Sequence, residues 1–205
     1  MRAREPDGLG VAGLPAPRSP NGKEVLVPPS RDAWRSWLAA ADRQEGLWVV
    51  YRKKRSALVG PVYDDLVEEA LCFGWIDSQV RRVDGDRVMQ WFSPRRPGGI
   101  WSAVNKERIA RLEDAGLMAP PGRTAIEKAQ ADGSWSQTDE VDAMIVPPDL
   151  AEALAAAPTA NARYLALPDS TKRQHLWWIH SAKRPSTRQH RIASLIGLLA
   201  EHGSD

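Results

Sequence analysis

Cysteine is almost missing: Cys72 stands alone in 205 residues. No intrachain disulfide can form, and the expected setting is a reducing cytoplasm. Long apolar runs are missing as well. None approaches the roughly 20 residues that a bilayer-crossing helix needs, so membrane insertion is not expected. The opening Met1-Arg2-Ala3-Arg4-Glu5-Pro6 leads into glycine and proline rather than an apolar stretch, so no secretory leader is expected either. Neither sign of charge dominates. The 28 Lys and Arg face 26 Asp and Glu, a net charge of +2, which argues against a broad surface tracking nucleic-acid phosphates. Of the histidines, His175, His180, His190 and His202, no two stand four apart, and a second cysteine is lacking, so no zinc site is expected. There is no Gly-x-Ser-x-Gly elbow, no Walker loop, no dinucleotide fingerprint and no internal repeat. Neither a metal nor a cofactor is expected.

What is present is a globular composition, 42% hydrophobic and 26% charged. Tryptophan supplies nine of the aromatic residues against three tyrosines and two phenylalanines. An indole buries a large area and keeps one N–H that wants a partner, so it suits both a core and the rim of a ligand pocket.

Residues 1–29 hold six prolines and four glycines without apolar periodicity, and read as a flexible arm. A single domain is expected over 30–205, with a sheet-bearing half over 30–116 and a helical half over 117–205. Ser30 suits an N-cap, and Trp34, Trp37, Leu38 and Ala41 then form the stripe of an amphipathic helix. Leu47–Tyr51 reads as a buried strand. Asp64 or Asp65 can cap a helix running to Gly74. Ile76–Val83 and Arg87–Phe92 flank Asp84-Gly85, a dipeptide suited to the positive φ angles of a tight hairpin. Ser93–Gly99 reads as a loop, because proline cannot continue a central strand. Ser102 can cap a helix ending at Gly116. Further helices are expected over Arg123–Ala131, Pro148–Ala156, Asn161–Leu167, Ser170–Lys183 and Ser186–His202. The fold class is therefore α+β: a small antiparallel sheet with a hairpin, packed by helices, then an all-helical half.

Three places could carry chemistry. In the first, Arg95 and Arg96, two glycines, Trp101, Ser102, Asn105 and Lys106 surround an expected helix start, whose free N–H groups attract anions. Arginine forks match paired carboxylate or phosphate oxygens. The arginines could equally pair with Asp77 or Glu107. In the second, six Lys and Arg and three histidines lie between Ser170 and Ala200 with no acid among them. Thr187, Arg188 and Arg191 fall where a helix dipole disfavours cations, so an acidic side chain or a bound anion should sit nearby. In the third, Trp75 and Asp77 share one face of a strand, and a partly desolvated Asp77 could act as a general acid or base. A structural pair of Asp77 with Arg95 or Arg188 serves as well. Tyr63 and Lys54 could join this region. Cys72, on an apolar helix, suits a core better than a nucleophile.

The strings Ala70-Leu-Cys-Phe-Gly-Trp-Ile-Asp77, Ser93-Pro-Arg-Arg-Pro-Gly98, Trp101-Ser102, Asn105-Lys106, Arg111-Leu112, Ala182-Lys183 and Thr187-Arg188 resemble the YdeI/OmpD-associated family, also called bacteriocin-protection proteins. The resemblance runs from about Ser30 to His202. Ser78 replaces an expected glycine, and Gly99 an expected serine. It implies tolerance of antimicrobial peptides or toxic compounds, and it emphasises Trp75, Asp77, Arg95, Arg96, Trp101, Asn105, Lys106, Lys183, Thr187 and Arg188. The function expected first is a cytoplasmic protective protein binding a small anionic or aromatic molecule in a Trp- and Arg-lined cleft. An enzyme using Asp77 on such a ligand is a second possibility, separable by turnover. Nucleic-acid binding by the basic C-terminal helices is a third, separable by steep salt dependence.

Overall fold

A computed structural model describes residues 10–42 and 44–201. The first nine residues of the expected arm and the expected helix-ending His202 lie outside these described residues. The chain divides into two compact units. One comprises the described residues to Gly99 with Val104–Trp135, and the other Ile100–Ala103 with the residues from Ser136 onward. Beyond α3 (Ala103–Asp114), α4 (Pro120–Ala131) packs on α2 (Tyr63–Cys72) within the first unit. The contact is close: a Cβ at Gly122 would stand 2.2 Å from the Cys72 carbonyl oxygen.

The architecture is α+β. In the first unit, β1 (Val25–Leu26), β2 (Leu47–Arg52), β3 (Trp75–Arg82) and β4 (Arg87–Pro94) form one sheet in the order β1-β2-β4-β3. The sheet is mixed, not purely antiparallel, since β1 runs parallel to β2. The register sets Leu47 against Phe92, Val49 against Gln90 and Tyr51 against Val88. These residues face α1 (Arg31–Ala40) and α2, where Trp34, Leu38, Leu66, Ala70 and Trp75 complete the larger core. Trp34 is fully buried and donates its indole N–H to the Leu66 carbonyl at 3.0 Å, so its burial leaves no donor unpaired. Ser30 caps α1, its hydroxyl accepting from the Ala33 N–H at 3.1 Å. Asp65 does not cap α2 from outside. It lies inside the helix and its carboxylate accepts from the Val62 N–H at 2.9 Å.

Trp48 and Val50 alternate to the other face of the sheet and pack with Val11 and Met89. From Gly10 onward, the segment read as a flexible arm lies against this face. Val11 is fully buried, its N–H bonded to the Val59 carbonyl at 2.7 Å. The Arg87 guanidinium donates to the Pro15 carbonyl at 3.0 Å, and the Trp48 indole to Asn21 Oδ1 at 3.1 Å. A few apolar residues between prolines suffice here, because the sheet supplies the rest of the buried surface.

Two local expectations are corrected. The hairpin does not use a left-handed glycine. Gly85 is absent from the positive-φ residues, and the Asp84 carboxylate closes the turn instead, accepting from the Asp86 and Arg87 N–H groups at 2.9 and 2.7 Å. Strand β4 also runs through Ser93 and Pro94 rather than stopping before them. Trp75 pairs with Pro94, whereas β2 begins opposite Phe92, so the missing proline N–H falls where β4 has lost its second neighbour.

The second unit is helical: α5 (Asp139–Asp142), α6 (Pro148–Ala155), α7 (Pro158–Ala166), α8 (Asp169–His180) and α9 (Pro185–Glu201). Leu150, Leu154, Ala160, Leu176, Ile179 and Leu195 form its core. Several helices begin earlier than expected, at Pro120, Pro158 and Pro185. Proline read as punctuation is the first residue of the helix, where its missing N–H costs nothing.

Candidate functional site

The helix-facing side of the sheet carries a polar cluster amid its apolar core. Asp77 on β3 shares a face with Trp75, as alternation requires. Its Oδ2 accepts from the Tyr63 phenol at 3.0 Å and from the Gln90 amide N–H at 2.5 Å. Tyr51 donates in turn to Gln90 Oε1 at 3.0 Å, which fixes the orientation of that amide. Burial, reinforced by the Asp77 charge, pushes both phenols up to about 12. The Arg95 guanidinium is pulled down to about 10 by its own burial, against the opposing pull of Asp77. Arg108 lies over the Tyr63 ring, 5.7 Å from its centroid, and binds Asn105 and Asp64 at 3.1 Å each. Asp77, Arg95 and Asn105 thus belong to one electrostatic neighbourhood, joined through Tyr63 and Arg108. Lys54 approaches the same group through Asp64, at 3.6 Å.

A cleft of about 360 Å³ opens at the end of β4. Trp91, Ser93, Pro94, Arg95 and Arg96 form one side. Lys23 from the N-terminal segment, with Glu45 and Gly46 from the turn between α1 and β2, forms the other. Gly46 is required by close approach: a Cβ there would stand 2.6 Å from the Trp91 ring and 2.4 Å from the Phe92 carbonyl oxygen. Trp91 packs edge-on against Trp48, with centroids 5.5 Å apart. Trp91, Gly46 and Lys23 were not among the residues expected to bind. Lys23 was hidden by its proline-rich surroundings, and Gly46 by its place just before a strand.

The remaining expected residues occupy other positions. Trp75 is buried and packs edge-on against Trp37. Lys106 lies 5.4 Å from the centroid of the Trp135 ring. The N–H of Gly98, one of the two glycines of the expected anion loop, donates to the Asp132 carboxylate at 3.0 Å. Trp101 and Ser102 fall in the second unit, where the buried Trp101 offers its carbonyl to the Thr138 hydroxyl at 3.2 Å. Lys183 is exposed and Thr187 half-buried near the start of α9. Arg188 grips Asp149 with two bonds of 2.6 and 2.9 Å. Arg191 donates to the Trp178 carbonyl and to the Ser181 hydroxyl. The cations at the start of α9 therefore meet an acid and the carbonyl end of α8, which answers the dipole conflict with groups of the chain itself.

Among the described residues no group of His, Cys, Asp and Glu could hold a metal ion, and no helix is long and apolar enough to cross a membrane.

The second unit contains a stretch that matches a named family. Residues 143–202 match the family of bacteriocin-protection, YdeI or OmpD-associated proteins. The resemblance read from the sequence is shown over that part of the chain, which carries Lys183, Thr187 and Arg188. Residues 26–125 match a domain of unknown function, DUF8412, and this match contains Trp75, Asp77, Arg95, Arg96, Trp101, Asn105 and Lys106. No curated protein and no solved structure matches the chain significantly.

Proposed function

We propose that this is a cytoplasmic protective protein that binds a small anionic aromatic molecule in the cleft at the end of β4. The coarse part of this reading rests on the bacteriocin-protection match over 143–202. The ligand class rests on one observation: Trp91, Arg95, Arg96 and Lys23 line a single cleft of about 360 Å³. Small-molecule pockets span roughly 300–1,000 Å³. Trp91 offers a flat apolar wall, the exposed Arg96 offers paired donors for a carboxylate or phosphate, and Arg95 adds positive charge beside it. The buried, lone thiol of Cys72 suits a reducing compartment.

Thermal shift and tryptophan fluorescence with benzoate, 2-naphthoate and phenyl phosphate test the reading, with benzamide as the neutral control. The anions should raise Tm and quench fluorescence, benzamide should do neither, and Arg96→Ala should remove both responses. No response to any of the three anions overturns it.

A catalytic reading is favoured by the Asp77 geometry alone. Two donors hold Oδ2, and among the described residues none donates to Oδ1, so one carboxylate oxygen is free to accept a proton from a substrate. Turnover of a bound anion that vanishes in Asp77→Asn, while binding survives, would establish it. Binding without turnover in the unaltered protein removes it.

A further inference from the structure

The lysine on the N-terminal segment is placed with more care than a surface lysine needs. Asn21 Oδ1 accepts from three donors: the Trp48 indole at 3.1 Å, the Ser19 hydroxyl at 3.2 Å and the Lys23 backbone N–H at 3.3 Å. Next along the chain, the Glu24 carbonyl accepts from the Trp48 N–H at 3.0 Å, joining the segment to the sheet. The Lys23 backbone is therefore fixed on both sides. Trp48, which anchors this turn, also packs against Trp91 in the cleft wall. The aromatic wall and the lysine are thus positioned by one indole.

The Lys23 side chain is held differently from its backbone. Its ammonium bonds to Glu45 at 2.9 Å, and both side chains are solvent-exposed, 47% and 68%. An ion pair so exposed is weak and exchangeable, since water and salt screen it and two long side chains must be ordered to make it. Both partners line the cleft.

We propose that Lys23 is a ligand-binding residue of the cleft and that Glu45 is its internal competitor: an entering anion takes the ammonium from Glu45. The proposal rests on the cleft being an anion site, and it names the group that exchanges. Its consequence has a definite sign. Removing the Glu45 charge frees Lys23 and lifts a repulsion from the cleft, so binding tightens. Were Glu45 a mere brace for the cleft, the same change would weaken binding.

Isothermal titration of the full chain with 2-naphthoate and phenyl phosphate decides between these. Glu45→Gln should bind both anions about threefold to fivefold more tightly, the range set by one exposed ion pair. Lys23→Gln should bind them several-fold more weakly. Measured against Lys23→Gln, the double variant should gain clearly less than Glu45→Gln gains over the unaltered chain, because only the lifted repulsion remains. Unchanged Tm values without ligand verify that each variant folds. Equal or weaker binding by Glu45→Gln overturns the exchange while leaving the anion site standing, provided Arg96→Ala still abolishes binding. A chain that binds neither anion, with Glu45 or without it, overturns both.

Discussion

Tyr63 and Asp77 are joined across two elements, the phenol of the first residue of α2 donating to the β3 carboxylate at 3.0 Å. The bond ties helix to sheet at a point where neither residue is fully buried. Tyr51 reaches the same carboxylate indirectly, through Gln90. A phenol that donates to a carboxylate resists ionisation, because losing its proton would set two negative charges side by side.

The expected titration follows directly. Both phenols ionise near 12 in the folded chain, above their ordinary value near 10. The unfolded chain therefore releases these protons first. Stability should be undiminished below about pH 10 and fall progressively as the pH rises from there toward 12. Tyrosinate absorbance should show Tyr51 and Tyr63 titrating late, and Asp77→Asn should lower both midpoints by removing the charge. Midpoints unmoved by that substitution would show that burial alone holds the phenols protonated.

Glu69 is the most buried acid described, 3% exposed, and its two oxygens meet Arg31 and Arg35 at 2.6 Å each. The burial is unequal, since both arginine side chains are about a third exposed. Removing both guanidiniums strands a carboxylate inside the fold, while removing the acid leaves two cations that water can reach. The variant carrying Arg31→Ala and Arg35→Ala should thus lose about 3 kcal/mol or more. Glu69→Gln should lose clearly less. Urea unfolding of the two variants at pH 7 measures the difference, and equal losses would contradict the asymmetry.

Much of this fold is legible in the chain. The stripe from Trp34 to Ala41, the strand Leu47–Tyr51 and the paired strands about Asp84 all follow from spacing, because each buries one face against many neighbours. What could not be read is what depends on contacts distant in sequence. Val25 and Leu26 form a strand only because Trp48 and Val49 lie beside them. Lys23 gains a site only from Asn21 and Trp48. The pairing of Asp77 with Tyr63 and Gln90 is likewise invisible without the register of β3 on β4, which shifts between Asp77 and Val80. Arg188 illustrates the reverse: its position called for a negative partner, and Asp149, 39 residues away, is that partner.

Gly122 offers a test of the join between α4 and α2. A methyl group there would meet the Cys72 carbonyl oxygen at 2.2 Å, its carbon at 2.7 Å and the Leu71 oxygen at 2.9 Å. All three are backbone atoms, so no side chain can swing aside. Although alanine has the higher helix propensity by about 1 kcal/mol, Gly122→Ala should destabilise the protein by about 3 kcal/mol, near the upper end for overpacking. Guanidinium unfolding would register this as a lower midpoint. A variant as stable as the original would mean that α4 can lift from α2 without loss.

The Asp149–Arg188 pair in the second unit makes a prediction of opposite pH sense to that of the tyrosines. Its main cause is the bidentate bond from Arg188, which holds the Asp149 carboxyl below the usual carboxylate value of 3.8. A depressed carboxylate contributes stability that is fully present above its unfolded value and is lost as the pH falls through the folded one. Because Asp149 is nearly half exposed, solvent screening limits the contribution to about 1 kcal/mol. Melting of the unaltered chain should therefore lose part of its Tm between pH 5 and pH 3, and Arg188→Gln should lose less over the same interval while starting lower at pH 7. Raising the salt should shrink the gap between the two at pH 7, as expected of a partly exposed pair. If Arg188→Gln instead melts lower than the unaltered chain by the same amount at both pH values, the guanidinium acts through its packing and its bond to the Ile179 carbonyl, and not through the charge of Asp149.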